Sequence, residues 1–148
     1  MKVRYLRKNE IDKAVKIIEE NNSKKYSLLA KKHLLAMFEN KMYKPKFMVA
    51  EEKDEILGFA GYIMSSLSFR TYEMMWVNVS KRYQRSGIET KLISKVIAEI
   101  ESIRYKGEKP SNILLSTLKP DYFRRFGFKN ILKFKKNKNI MALDLARK

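Results

Sequence analysis

The segment from Glu73 to Ile103, EMMWVNVSKRYQRSGIETKLISKVIAEIESI, constrains the fold more than any other, because two periodicities meet in it across one short loop. Leu92, Ile93, Val96, Ile97, Ile100 and Ile103 recur at intervals of three and four, which sets them on one stripe of an amphipathic helix. Lys91, Lys95, Glu99 and Glu101 fall off that stripe. Upstream, Tyr72 to Val79 carries aromatic and branched side chains on both parities, as in a strand covered on both faces. Between them, Ser80 to Gly87 contains one glycine, which lets a backbone approach a ligand or simply turns the chain. A helix start presents unpaired N–H groups and the positive end of the macrodipole, so this unit is a place to hold an anion.

The flanking chain reads as support for that unit. Lys2 to Leu6 suggests a short strand, and Asn9 an N-cap for a helix buried through Ile11, Ala14, Val15 and Ile18. A second helix is predicted from Ser27 to Phe38, apolar enough on both faces to cover a cleft. It holds the only histidine, His33, which has no cysteine or second histidine near it and reads as solvated or structural. Phe47–Glu51 and Ile56–Ser65 form a hairpin about Lys53 and Asp54. After the central helix come a strand at Asn112–Ser116, a short helix opened by Pro120, a strand from Phe128, and a last strand at Asn139–Leu145. The order implies a mixed sheet covered by helices, an α+β or α/β layout in one domain spanning residues 1–148.

Composition excludes some chemistry. No cysteine is present, so a disulfide scaffold, a cysteine zinc site and a thiol nucleophile are ruled out; the composition fits a reducing cytoplasm, and no metal is expected. The longest uncharged run, Ile56 to Phe69, has 14 residues and two glycines, too short to span a bilayer, so no membrane association is expected, and the N-terminus lacks the apolar core of a signal peptide. The formal charge of +17 comes from 24 lysines and 9 arginines against 16 acids. Residues 106–148 hold 12 basic and 3 acidic residues, a balance that attracts a polyanionic cofactor, an acidic substrate or nucleic acid.

Two stretches resemble the GNAT (general N-acetyltransferase) superfamily. Gln84-Arg85-Ser86-Gly87-Ile88-Glu89 is similar to the family's acyl-CoA loop, Arg or Gln, two residues, Gly, one residue, then Gly or Ala. PDYFRRFGF, Pro120 to Phe128, resembles its closing helix and Gly-Phe strand start. The resemblance runs from about Lys2 to Leu145 and implies a mostly antiparallel sheet of about seven strands with about four helices, splayed between strands 4 and 5. It further implies acetyl-CoA as co-substrate and a small-molecule or peptide amine as acceptor. The pantetheine arm would pair with Val77, Asn78 and Val79, and pyrophosphate would sit on Arg85, Ser86, Gly87, Ile88, Glu89 and Thr90 behind Gln84, with Arg82 or Lys91 adding charge.

The resemblance also assigns roles. Glu73, eleven residues before Gln84, stands where one branch of the family carries the base that deprotonates the amine; aromatic and thioether neighbours would suit it to that task by desolvation. Two positions depart from the pattern. Glu89 replaces the loop's second Gly or Ala and sets a carboxylate near the pyrophosphate, or else points to solvent and favours the helix start. Phe123 replaces the tyrosine that protonates the leaving thiolate; Tyr122 is the adjacent phenol, turned by about 100° on a helix. Three functions compete: an N-acetyltransferase, a non-catalytic binding module disabled by Glu89, and a nucleic-acid binder using Lys129 to Lys138. An exposed final strand leaves monomer and homodimer both open.

Overall fold

The computed structural model describes residues 1–147. Its elements are β1 (Lys2–Tyr5), α1 (Ile11–Asn21), α2 (Lys24–Ala36), β2 (Lys46–Glu52), β3 (Glu55–Met64), β4 (Thr71–Val79), α3 (Ile88–Ser102), β5 (Asn112–Thr117), α4 (Pro120–Arg124), β6 (Lys129–Lys133) and β7 (Asn139–Asp144). The strands form one sheet in the order β1-β2-β3-β4-β5-β7-β6. All neighbours are antiparallel except β4 and β5. This is the mixed α+β architecture that the element order implies.

The sheet is covered on both faces, which is why its central strands read as nearly continuous apolar runs. On one face the α3 stripe, Leu92, Ile93, Val96, Ile97 and Ile100, packs with Tyr72, Met74, Leu115 and Met141. On the other, Ile11, Ala14 and Ile18 of α1 and Ala30 and Leu34 of α2 meet Phe47, Val49 and Phe59. Each of the Leu, Ile, Val, Met and Phe side chains among these contributes about 1.5–3 kcal/mol on burial. The β2–β3 hairpin turns at Lys53 and Asp54 with both φ positive, 50° and 64°, a geometry matched to the right-handed twist of the strands.

Helix starts differ from the sequence reading. A short 3-10 turn, Lys8–Glu10, precedes α1, and Asn9 caps nothing. The Glu10 carboxylate instead accepts the Arg7 backbone N–H at 2.8 Å and both terminal nitrogens of Arg4 at 3.0 and 2.7 Å, and this charged grip fixes the chain's entry. The second helix begins at Lys24, three residues before Ser27, because Ser23 takes the extended N-cap conformation. Ile103 lies just past α3, half-buried at its C-cap.

Two irregularities in β4 make the site. Its parallel pairing with β5 covers only Thr71–Asn112, Tyr72–Ile113 and Glu73–Leu114, after which the strands separate. Opposite, the register with β3 shifts between Phe59 and Gly61, so Trp76 and Val77 together face Ala60. Trp76 sits at φ +53°, an uncommon conformation for a bulky residue, as the extra residue of this bulge.

Candidate active site

The bulge decides which backbone groups of β4 are free. Ser65 N–H donates to Thr71 O before it, and Ser80 N–H donates to Leu57 O after it. With strict alternation, Thr71, Glu73 and Met75 bond to β3 first, whereas Asn78 and Ser80 do so later. The parity change turns the N–H and C=O groups of Val77 and Val79 toward the gap left by β5. One is already engaged: Val79 O accepts Asn21 Nδ2 at 2.9 Å and Gln84 Nε2 at 3.1 Å. Asn21 Nδ2 also reaches Asn78 Oδ1 at 3.2 Å, and Gln84 Nε2 reaches Asn21 Oδ1 at 3.0 Å. Glu20 accepts from Ser80 Oγ and Lys81 N, each at 3.1 Å. The end of α1 is thus buckled to the end of β4, and Asn78 and Gln84 serve that buckle.

Below it, the loop enters α3 through Gly87 at φ +86°, with nothing within 4 Å of where a Cβ would stand. Arg85, at φ +63°, is the second left-handed residue of this turn. The first helical hydrogen bond, Lys91 N–H to Gly87 O, leaves the N–H groups of Ile88, Glu89 and Thr90 without intrahelical acceptors. Ser86 is exposed beside them and Ile88 is buried in the core. Of the basic residues singled out in the sequence, Arg85 lines the hollows here. Arg82 lies over the Tyr83 ring at 5.4 Å, and Lys91 lines a separate hollow with Met1 and Glu52, as do Ser86 and Ile88 of the expected phosphate loop. Lys81, Lys119 and Arg125 face the loop in their place.

Three hollows meet at one side chain. A cleft of about 520 Å³ lies between the separated strands, a second of about 520 Å³ covers the end of β4 and the loop, and one of about 380 Å³ lies over the α3 N-terminus. Glu89 lines all three. It is half-buried and has no ion pair among the described residues.

The two aromatic residues of α4 part company. Phe123 is buried and lines the cleft. Tyr122 lines the hollow above α3 instead, its hydroxyl 3.1 Å from Thr90 Oγ1. Burial foremost, and the nearby Glu89 carboxylate, push the Tyr122 phenol above its ordinary value, while Thr90 and Arg125 pull it back, so it stays protonated near neutrality.

Glu73 stands at the last paired position before the split, opposite Leu114 and Ile63. It is half-buried, with no hydrogen bond or ion pair to its carboxylate among the described residues, and the cleft lining begins one residue later at Met74. The far wall of the cleft comes from Tyr26 and Leu29 of α2 and from Leu118. His33 joins this wall indirectly: its Nδ1 accepts the Trp76 indole N–H at 2.7 Å, and burial lowers its pKa. The histidine is therefore structural, fixing the one tryptophan at the bulge.

Sequence reasoning missed Asn21, Asn22, Tyr26 and Lys119, which line these hollows, and reached two other lining residues only indirectly, Leu29 within the helix placed over a cleft and Lys138 at the end of the basic Lys129 to Lys138 segment. Lys119 stands one residue before the Pro120 motif. Among the described residues there is no group of three or more His, Asp or Glu side chains placed to hold a metal ion. No helix of the described residues is long and apolar enough to cross a membrane.

A GNAT-family protein from Desulfovibrio desulfuricans superposes with a TM-score of 0.83 at 18% identity, covering 97% of this chain and 98% of that one. The aminoglycoside 6'-N-acetyltransferase from Enterococcus faecium gives 0.76 at 16% identity, with 97% of each chain covered. The PaiA N-acetyltransferase from Thermoplasma acidophilum, solved in complex with coenzyme A, gives 0.74 at 13%, covering 97% and 98%. Among curated proteins no sequence match is found. The sequence model of the Acetyltransferase (GNAT) domain matches residues 44–130, more than half of the chain. The chain therefore belongs to the GNAT acetyltransferase family.

Proposed function

We propose that the protein is an acetyl-CoA-dependent N-acetyltransferase that moves an acetyl group directly to a primary amine. The observation carrying this reading is the split between β4 and β5, which opens onto the free N–H groups of α3 in a chain of this family. The fit to an acyl-CoA is good at three points: unpaired backbone groups on Val77, the N–H of Val79, and a glycine with open space above it. Its one obstruction is Glu89.

When bound, acetyl-CoA supplies an activated thioester. Val77 and Val79 receive the pantetheine amides as an added strand, held in place by the Asn21, Asn78 and Gln84 buckle. Arg85, Gly87 and Thr90, with the free N–H groups at the start of α3, form the pyrophosphate seat, and Lys81 and Lys119 supply charge beside it. Glu73, directly or through one water, takes the proton of the incoming ammonium, a role supported by the absence of any ion pair to it among the described residues. With acetyl-CoA bound, the amine nitrogen would bond to the thioester carbonyl carbon as the C–S bond breaks, Val77 N–H would hold the charge that develops on the carbonyl oxygen, and the second amine proton would pass through solvent to the departing thiolate. Phe123 offers no proton to the departing sulfur. Tyr122 is the nearest phenol, but its bond to Thr90 outside the cleft favours a supporting role, and a thiol with a pKa of about 8.5 leaves as the thiolate. Release of free CoA from acetyl-CoA across an amine panel tests the assignment; Glu73→Gln lowers kcat by about a hundredfold or more if Glu73 is the base.

A second reading rests on Glu89 alone: a carboxylate at the junction of all three hollows fits a module that holds acyl-CoA poorly and acts by binding. Recovery of cofactor affinity on removing that charge, without any turnover, supports it.

A further inference from the structure

The acceptor side of the cleft has a chemical character of its own. Tyr26, Leu29 and Leu118 stand at its mouth with 53%, 45% and 67% of their surfaces exposed, and Met74, Met75 and Trp76 form its floor. Exposed apolar side chains converging on one opening are best matched by a ligand with an apolar body. The charged residues of the lining are Lys119, Lys138 and Glu89. Glu89 also lines both hollows at the phosphate loop and Lys119 one of them, so these two belong to the cofactor end, and the charge left to the acceptor wall is the positive one of Lys138. Lys138 comes from the connection between β6 and β7, and Lys119 from the turn before α4; neither has an ion-pair partner among the described residues. Beyond the wall the whole chain carries +17, a field that repels cations over a Debye length.

Resting on the acetyltransferase reading above, we propose that the acceptor is a monoamine with an apolar or aromatic body and an anionic group, and that polycationic amines are poor ligands. The amine sits toward Glu73, the ring or chain against Trp76, Leu29 and Tyr26, and the anion toward Lys138. A polyamine or aminoglycoside would set several ammonium groups against a wall whose one carboxylate among the described residues is Glu89 at the cofactor end, in a field of its own sign.

The test uses matched probes and reads binding separately from turnover. The full chain, saturated with CoA, is titrated calorimetrically with 4-(2-aminoethyl)benzoate, with 2-phenylethylamine and with kanamycin at low salt. The first two share the amine and the ring and differ in the carboxylate. The benzoate is expected to bind about tenfold more tightly than 2-phenylethylamine, with kanamycin weakest. Lys138→Glu removes that preference. Equal affinities, tighter kanamycin binding, or no benzoate binding at millimolar concentration overturns the proposal. CoA release is then measured with the same probes: selective benzoate binding without release refutes the transferase reading and leaves the acceptor class standing.

Discussion

Neutralising Glu89 should tighten CoA binding, and the geometry bounds by how much. The side chain is half-buried at the junction of the hollows and has no ion pair among the described residues. A carboxylate about 5 Å from one phosphate charge, at an effective dielectric of about 40 for a site open to water, is opposed by about 1.7 kcal/mol. Partial screening by Arg85, Lys81 and Lys119 brings this nearer 1 kcal/mol, or roughly a five- to tenfold change in Kd. Glu89→Gln is the informative variant, because it keeps the side chain's length and removes only the charge. Glu89→Gly adds a helix cost of about 1 kcal/mol, so it reports room as well as charge. Calorimetry with CoA on both variants and on the native chain, at about 50 and 150 mM salt, separates the terms, since a charge effect shrinks with salt. Unchanged or weaker CoA binding by Glu89→Gln would refute the reasoning and show that Glu89 turns away from the phosphates.

Other perturbations test the rest of the site. Gly87→Ala meets no atom, so its effect is conformational; it should cost about 1–2 kcal/mol in denaturant unfolding, from the strain of a side chain at φ +86°. Tyr122→Phe should change kcat less than about threefold, against the hundredfold expected for loss of a working general acid, whereas Phe123→Tyr sets a phenol in the cleft and should raise kcat. The His33–Trp76 bond should titrate. Burial lowers the folded-state pKa of His33 below its unfolded value of about 6.5, so its contribution is present above that value and is lost as pH falls toward the folded pKa. Emission from the one tryptophan should follow that loss with a midpoint below about 6.5, and His33→Asn should abolish the dependence.

What the sequence revealed was local. The α3 stripe and the β4 run are set by side chains a few positions apart, and Pro120 and the Lys53–Asp54 turn are set by neighbours, so these elements lie where periodicity and turn chemistry put them. The bulge at Trp76 was not legible, because it is a fact of register between β3 and β4. Nor was the buckle at Val79: Asn21 lies 58 residues away in the chain and reads there as an ordinary helix end. Asn9 illustrates the reverse error, a good cap by type that lost to a nearby Arg4–Glu10 pair. Glu89 was visible as a departure in the loop, but its direction depends on how α3 meets the split strands. Phe123 and Tyr122 were distinguishable in advance, since adjacent helical positions face different ways.

The account stands most directly on amine-dependent release of CoA. Purified protein is mixed with acetyl-CoA at millimolar concentration and free thiol is followed with and without a panel of primary amines that includes the aromatic carboxylates. The account predicts release that requires an amine, yields the acetylated amine in equal amount, and falls about a hundredfold or more in Glu73→Gln. Release no faster than hydrolysis with every amine, in protein that demonstrably binds acetyl-CoA, would contradict it and leave a CoA-binding module in its place.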